Sequence, residues 1–337
     1  VNSSGSTAQT NAIAAKVSPA LVDINSSFGY QGAQGAGTGI VLTSNGEVLT
    51  NNHVINGATK ISVTDVGNGK TYSATVLGYD DSHDVALLQL KGASGLQTAH
   101  LADSSKVAVG ESVVAVGNAG GTGGTPSNAG GSVTALNQSI TAGDDLDGVS
   151  EQLSGLIEVN ANIQPGDSGG SLVNTAGDVI GIDTAASQGF NFQSTASQGF
   201  AIPINEAMSI ARQILSGHGS ATTHVGATAF LGVELSSSSS SSQGNFGSFG
   251  DNSGNGSGAS TGGATVSGVV SGGPAAQAGL TQGDTITSVD GNSVDSPASI
   301  SAALVGHHPG DRIQIGWVDS SGQTHTATVV LGSGPPA

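Results

Sequence analysis

Between residues 22 and 204 the apolar positions fall in short runs separated by turn residues. Gly39-Ile40-Val41-Leu42-Thr43 leads through a Ser44-Asn45-Gly46 turn into Glu47-Val48-Leu49-Thr50. The same pattern predicts strands at 60–65, 72–79, 85–90, 112–116, 132–136, 156–159 and 179–182. Many short strands with Gly-rich turns and few helical periods argue for a sandwich or barrel over a doubly wound sheet. A short helical pattern covers 13–21. A better one covers 205–215, with Asn205 as cap, Met208, Ala211, Ile214 and Leu215 on one face, and Ser216-Gly217 as the stop. Residues 1–12 read as a polar, frayed arm.

The pattern then weakens. Residues 217–227 read as a linker, and 236–263 is a Ser/Gly/Asn tract with little to bury. A strand at 229–235 and a well-patterned block at 265–331 flank that tract, as an insert between two strands of a second domain would require. The expected domains are therefore 1–216 and 228–337, two for a chain of 337 residues. Two pentapeptides repeat, Ala186-Ser187-Gln188-Gly189-Phe190 and Ala196-Ser197-Gln198-Gly199-Phe200. Two copies do not make a solenoid.

Composition narrows the function. With 24 acidic against 7 basic residues the formal charge is −17, so nucleic acid and anionic membranes are not expected partners. Only 9% of residues are charged, and neutral polar side chains must cover the surface. There is no Cys, which removes disulfides, thiolate catalysis and zinc-thiolate sites. No apolar run approaches the roughly 20 residues that span a bilayer. No metal-ligand spacing stands out and no cofactor is implied. Scarce Lys and absent Cys hint at an extracytoplasmic location; no leader is present at Val1.

The sharpest motif is Gly166-Asp167-Ser168-Gly169-Gly170, preceded by Gln164-Pro165. Glycines around a serine permit a tight turn whose amides converge on one point, as an oxyanion requires. Alone, it reads equally as a surface turn. A serine nucleophile needs a base, and the base an orienting group. Of eight histidines, His53 stands at a strand end before Val54-Ile55. His83, His100, His218, His224, His307, His308 and His325 lie in polar or Gly-rich surroundings and read as solvated. Asp84 opens the apolar run Val85-Ala86-Leu87-Leu88, whereas Asp80 and Asp81 read as an exposed turn.

Taken together, Thr50-Asn51-Asn52-His53-Val54, His83-Asp84-Val85-Ala86-Leu87 and the Ser168 motif stand in the order His, Asp, Ser. This resembles the chymotrypsin-fold serine proteases, and among them the HtrA (DegP-like) branch. Gly37-Thr38-Gly39-Ile40, Gly199-Phe200-Ala201-Ile202-Pro203 and a PDZ-like C-terminal block extend the match over nearly the whole chain. Gly117-Asn118, His307-His308-Pro309-Gly310-Asp311 and the Gly334-Pro335-Pro336-Ala337 ending resemble secreted trypsin-like antigens of mycobacteria and related actinobacteria.

The resemblance implies a mainly β fold, a chymotrypsin-like double β-barrel followed by a small α+β PDZ domain. It implies a serine endopeptidase with Ser168 as nucleophile, His53 as base and Asp84 as orienting group. The amides of Gly166, Asp167 and Ser168 would form the oxyanion hole. Asn162, Ile163 and Ile182 would line the S1 pocket. With Asn162 where proteases that cut after Lys or Arg place Asp, and with aliphatic walls, cleavage after Val, Ile, Ala or Leu in unfolded or exposed segments is expected. The alternative for the two isoleucines is plain barrel core. Activity should rise with pH through the histidine's pKa, near ~6.5 before Asp84 raises it.

Departures are also visible. HtrA proteins usually place Asn where Asp167 stands. In digestive and clotting proteases that Asp pairs with a newly cleaved N-terminus, but no Ile-Val-Gly-Gly follows Val1. Asn160, Asn162 and Ser171 also differ from the usual pattern.

In the second domain, Phe230-Leu231-Gly232-Val233 resembles the carboxylate-binding loop of PDZ domains, where a peptide C-terminus adds as a strand. Gly283-Asp284-Thr285-Ile286 and the segments 274–280 and 297–305 match its strand and helices. The expected partners are polypeptide substrates and peptide C-termini. The resemblance adds a homotrimer through N-terminal segments, though no aromatic precedes Phe28. Two other readings remain at this stage: a peptide-binding chaperone with secondary proteolysis, and an inactive scaffold.

Overall fold

The computed structural model describes residues 7–30, 32–143, 150–184, 198–236 and 263–336. The chain divides into two compact units, Val1–Thr228 with Gly334–Ala337, and Ala229–Ser333. Among the described residues no helix is long and apolar enough to cross a membrane.

The first unit opens with helix α1 (Thr7–Val17) and a 3₁₀ turn (Ser18–Ala20). The helix starts inside the stretch expected to be a frayed arm, because Thr10, Ile13, Ala14 and Val17 share one buried face. Six strands follow: β1 (Leu21–Phe28), β2 (Ala33–Val41), β3 (Glu47–Thr50), β4 (Lys60–Asp65), β5 (Thr71–Asp80) and β6 (Val85–Leu90). Their order β5-β4-β1-β2-β3-β6 closes through a further β5–β6 pairing, making a six-stranded barrel. Its interior is filled by Val22, Ile24, Val41, Val48, Val63, Leu88 and their neighbours.

Strands β7 (Ser112–Gly117), β8 (Ser127–Gly143), β9 (Ser150–Val159), β10 (Ser171–Asn174), β11 (Val179–Thr184) and β12 (Gly199–Pro203) form a second closed barrel, ordered β10-β11-β12-β9-β8-β7. Ile157, Val159, Leu172 and Ile180 fill it. A third apolar cluster joins the barrels, drawing Leu49 and Leu87 from the first, Val116, Val173 and Ile182 from the second, and both flanking helices. Burying aliphatic side chains of this size is worth about 1.5–3 kcal/mol each, so this shared layer fixes one barrel against the other.

Helix α2 (Ile204–Leu215) buries Ile204, Ala207, Ile210, Ala211 and Ile214. Two details differ from expectation. Asn205 is not the cap: its amide donates to Asp103 (2.7 Å), tying the helix start to the 103–106 turn. Leu215 points outward and is half-exposed. The stretch 217–227 is not a free linker. It carries β13 (Thr223–Val225), which pairs with the end of β5 through Thr223↔Asp80, His224↔Tyr79 and Val225↔Gly78. The strand fits there because β4 pairs only with the first residues of β5.

The second unit holds β14 (Ala229–Phe230), β15 (Val233–Leu235), β16 (Ala264–Val269), α3 (Pro274–Ala278), β17 (Thr285–Val289), β18 (Asn292–Ser293), α4 (Pro297–Leu304), β19 (Arg312–Val318), β20 (Thr324–Val330) and β21 (Gly332–Ser333). The main sheet runs β15-β16-β17-β19-β20 with β18 on β17, and β14 pairs with β21. Ser296 caps α4 with a reciprocal bond to Ser299, and Ile286, Ile313, Ile315 and Trp317 centre the core. The polar insert expected at 236–263 lies almost wholly outside the described residues, as does most of the pentapeptide repeat, apart from Gln198-Gly199-Phe200 at the start of β12.

Candidate active site

His53 stands on the turn that follows β3, where Ile55 and Asn56 donate back to the Asn52 carbonyl. Asp84 ends the turn between β5 and β6 at φ 52°, a left-handed conformation that Asp tolerates better than most residues. Asp80 builds that turn. Its carboxylate accepts from His83 N (3.1 Å), His83 Nδ1 (2.7 Å) and the hydroxyls of Thr222 (2.9 Å) and Thr223 (2.6 Å). Asp80 is therefore buried rather than exposed. His83 is engaged rather than merely solvated, with Glu206 3.8 Å from its other nitrogen. Glu206 is held above the usual range, first by burial. His224 is buried as well: it stacks on Tyr79 and its Nε2 donates to the Ala227 carbonyl (3.2 Å). Its sequence neighbourhood is polar, and the pairing of β13 with β5 is what covers it.

The turn delivers Asp84 to His53. Asp84 Oδ2 lies 2.8 Å from His53 Nδ1, and Oδ1 accepts from the His53 amide at 2.9 Å. Thr184 Oγ1 donates to Oδ2 (3.3 Å), and Asn51 Nδ2 donates to the Asp84 carbonyl (2.9 Å). The Asp84 side chain is 4% exposed and that of His53 37%. A buried carboxylate accepts, so Nδ1 carries the imidazole proton and Nε2 keeps its lone pair. That is the tautomer a general base needs.

Ser168 is carried on a turn pinned from three sides. Thr38 of β2 donates its amide to the Ser168 carbonyl (2.8 Å) and its hydroxyl to the Gly166 carbonyl (2.8 Å). Gly169 N donates to the Asp183 carbonyl (2.8 Å), and Asp183 N to the Gly170 carbonyl (2.9 Å). The 118–124 loop covers the outside, with Gly120 N on the Pro165 carbonyl (2.8 Å). Glycine is required at 169, where φ is 82° and a Cβ would meet the Thr38 carbonyl at 2.0 Å. At Gly166, with φ 97°, a Cβ would strike the Asn118 carbonyl. Asp183 holds this turn and the next residue, Thr184, holds Asp84. The Ser168 turn and Asp84 are thus held by one strand end.

A trypsin-like peptidase domain matches residues 37–182, and a PDZ domain matches 229–330. A Do-like serine protease HtrA of Lactococcus lactis subsp. cremoris is 32% identical over 92% of this chain and 76% of its own length. The chain belongs to the HtrA-type serine proteases. Serine protease PepD of Mycobacterium tuberculosis is 32% identical over 95% of the chain, and the Escherichia coli periplasmic pH-dependent serine endoprotease DegQ 36% over 84%. The chain spans 65% and 56% of those two proteins' lengths. Among solved structures, the HtrA-type protease AlgW with tripeptide superposes at a TM-score of 0.52, with 28% identity, covering 99% of each chain.

Against the HtrA pattern, the remaining site residues fall as follows. Asp167 N is committed to the Gln164 carbonyl (2.9 Å), so the third oxyanion donor expected from the sequence is already spent. Asn162 is exposed and Ile163 half-buried, with Ile163 packed where a Cβ on Gly199 would sit. Ile182 is fully buried in the layer between the barrels, which removes it from any pocket surface. In the second unit Leu231 is buried, Gly232 adopts φ 79°, and Phe230 and Val233 are half-buried. The carbonyls of Leu231 and Gly232 accept from Ala275 and Val270. Sequence reasoning missed Thr184, Asn51 and Asp183. Thr38 had a signal in Gly37-Thr38-Gly39, but Thr184 had none.

Proposed function

We propose that the chain is a serine endopeptidase of unfolded or exposed polypeptide segments, working outside the cytoplasm. The observation that carries this reading is the buried Asp84 holding the His53 imidazole through Nδ1, in an HtrA-type protease whose Ser168 turn is pinned beside it. His53 Nε2 takes the Ser168 proton as Oγ attacks the scissile carbonyl, then returns it to the leaving amine. Water repeats the sequence on the acyl-enzyme. The amides of Gly166 and Ser168 hold the oxyanion; Asp167 N is not needed for it.

Ile163, with Gly199 opposite, forms the wall of S1, and Asn162 leaves a basic P1 residue without an ion pair. Small or medium aliphatic P1 residues follow. At the PDZ unit, the Phe230–Val233 loop takes a peptide C-terminal carboxylate and the peptide adds along β15, an edge strand of the described sheet. A homotrimer belongs to the same reading, supported by family membership.

The test is a fluorophosphonate probe at neutral pH followed by peptide mapping. Label on Ser168, lost in His53→Ala, is expected. Folded wild-type protein that takes no label overturns the proposal.

A further inference from the structure

Behind the nucleophile lie two buried carboxyls that the mechanism does not use. Asp183 is 0% exposed, and among the described residues no side chain bonds either carboxyl oxygen; only the Val116 backbone offers it a donor. Asp167 is 5% exposed. The two carboxyls lie against the same end of β7: a Cβ on Gly117 would meet Asp167 Oδ1 at 2.7 Å, and the Val116 backbone faces Asp183. Among the described residues neither forms an ion pair. The nearby ionisable groups are few. Asp23 accepts from Gly124 of the covering loop (3.1 Å), while Asp84 and His53 stand beyond Thr184. No Lys or Arg balances the set.

Two ionised carboxylates sealed together without a cation are costly, and the pair relieves that cost by retaining a proton. Burial, and then the Asp167 charge, push the Asp183 carboxyl well above its ordinary range. Burial also raises Asp167, against the lowering pull of Gln164 N, the Ser127 hydroxyl and Ala119 N. The local hydrogen bonds have room for a proton on Asp167 too. Ser127 Oγ receives Ala119 N–H (3.2 Å) and has one proton for two acceptors, Gly117 O (2.9 Å) and Asp167 Oδ1 (3.1 Å). With that proton on Gly117 O, a protonated Asp167 Oδ1 donates to Ser127.

We propose that Asp167 and Asp183 are an electrostatically coupled pair of positioning residues, keeping the Ser168 turn in working order only while the pair retains a proton. The leverage is short. Asp167 lies between the two oxyanion amides, and the Asp183 backbone bonds Gly169 and Gly170 directly. A second negative charge would push these two anchors apart. The pair titrates as a unit. Deprotonation then adds an alkaline limb to the pH profile, opposite in sign to the rising limb of His53. The inference rests on the protease reading for its kinetic consequence, but not for the proton itself.

The test uses the full chain as wild type, Asp183→Asn and Asp167→Asn. On a fluorogenic peptide, wild-type kcat should fall on the alkaline side by about tenfold per pH unit with KM little changed, as one ionisation requires. Asp183→Asn should move that limb upward by at least about one pH unit or abolish it. Infrared difference spectra of wild type against Asp183→Asn at neutral pH should show a protonated-carboxyl stretch that the variant lacks. Superimposable pH profiles of wild type and a folded Asp183→Asn overturn the positioning role. Absence of the protonated-carboxyl band overturns the pair. Should Asp183→Asn fail to fold, Asp167→Asn carries the same comparison. Should the chain prove to be no protease, the infrared arm still decides the proton.

Discussion

Asp84 and Asp183 are both buried aspartates, joined through Thr184, and they behave in opposite ways. Asp84 receives the His53 amide, the His53 ring and the Thr184 hydroxyl. Asp183 receives no side-chain donor and has only the Val116 backbone facing it. Burial is the same; the supply of donors differs. Donors stabilise the carboxylate form, whereas their absence leaves desolvation to favour the acid. One aspartate can therefore accept from a histidine, while its neighbour holds a proton.

That contrast can be broken at its strong end first. Asp84→Asn keeps the shape but gives His53 Nδ1 a donor where it had an acceptor, favouring the wrong tautomer. We expect kcat to fall by about 10⁴-fold, read as peptide hydrolysis after active-site titration. Asp80, a third buried aspartate with four donors, should be costly to remove. Asp80→Ala strands the hydroxyls of Thr222 and Thr223 and the His83 amide, and should lower stability by about 2–3 kcal/mol in urea unfolding. Thr184→Val removes one donor from Asp84 and leaves His53 in place. A drop in kcat of about fivefold with unchanged KM would match one hydrogen bond.

The smallest effect sharpens the other end. Asp183 and Asp167 have raised values in the folded chain, so the stability they contribute is complete below the unfolded carboxyl value of about 3.9. It is lost as pH rises through their folded values. The melting temperature of wild type should thus decline from mildly acidic to alkaline pH by about 2–4 °C more than that of Asp183→Asn. An equal or opposite slope would place the proton elsewhere.

Much of the site was legible because it lives in contiguous motifs. The Gly-rich turn around Ser168, the strand end at His53 and the acid before Val85 are each short, ambiguous alone and specific as an ordered set. What escaped was non-local. Asp80 and His224 sit in polar sequence yet are buried, because β13 returns from far along the chain to the edge of β5 left open by β4. The same pairing turned the expected linker at 217–227 into part of the first unit. The resemblance left Ile182 as either a pocket wall or plain core, and it is buried in the layer shared by the two barrels.

The sequence alone carried the resemblance to the HtrA-type proteases, the order His53, Asp84, Ser168 and the strand-rich pattern of the first unit. The motifs are contiguous and the apolar runs short, and the three motifs taken together in that order carry the resemblance. Tertiary structure decided the charge states and the supply of hydrogen bonds. Whether a buried carboxyl meets three donors or hardly any depends on which distant strands close over it. For the same reason Thr184 and Asp183, unremarkable in sequence, hold Asp84 and the Ser168 turn in place.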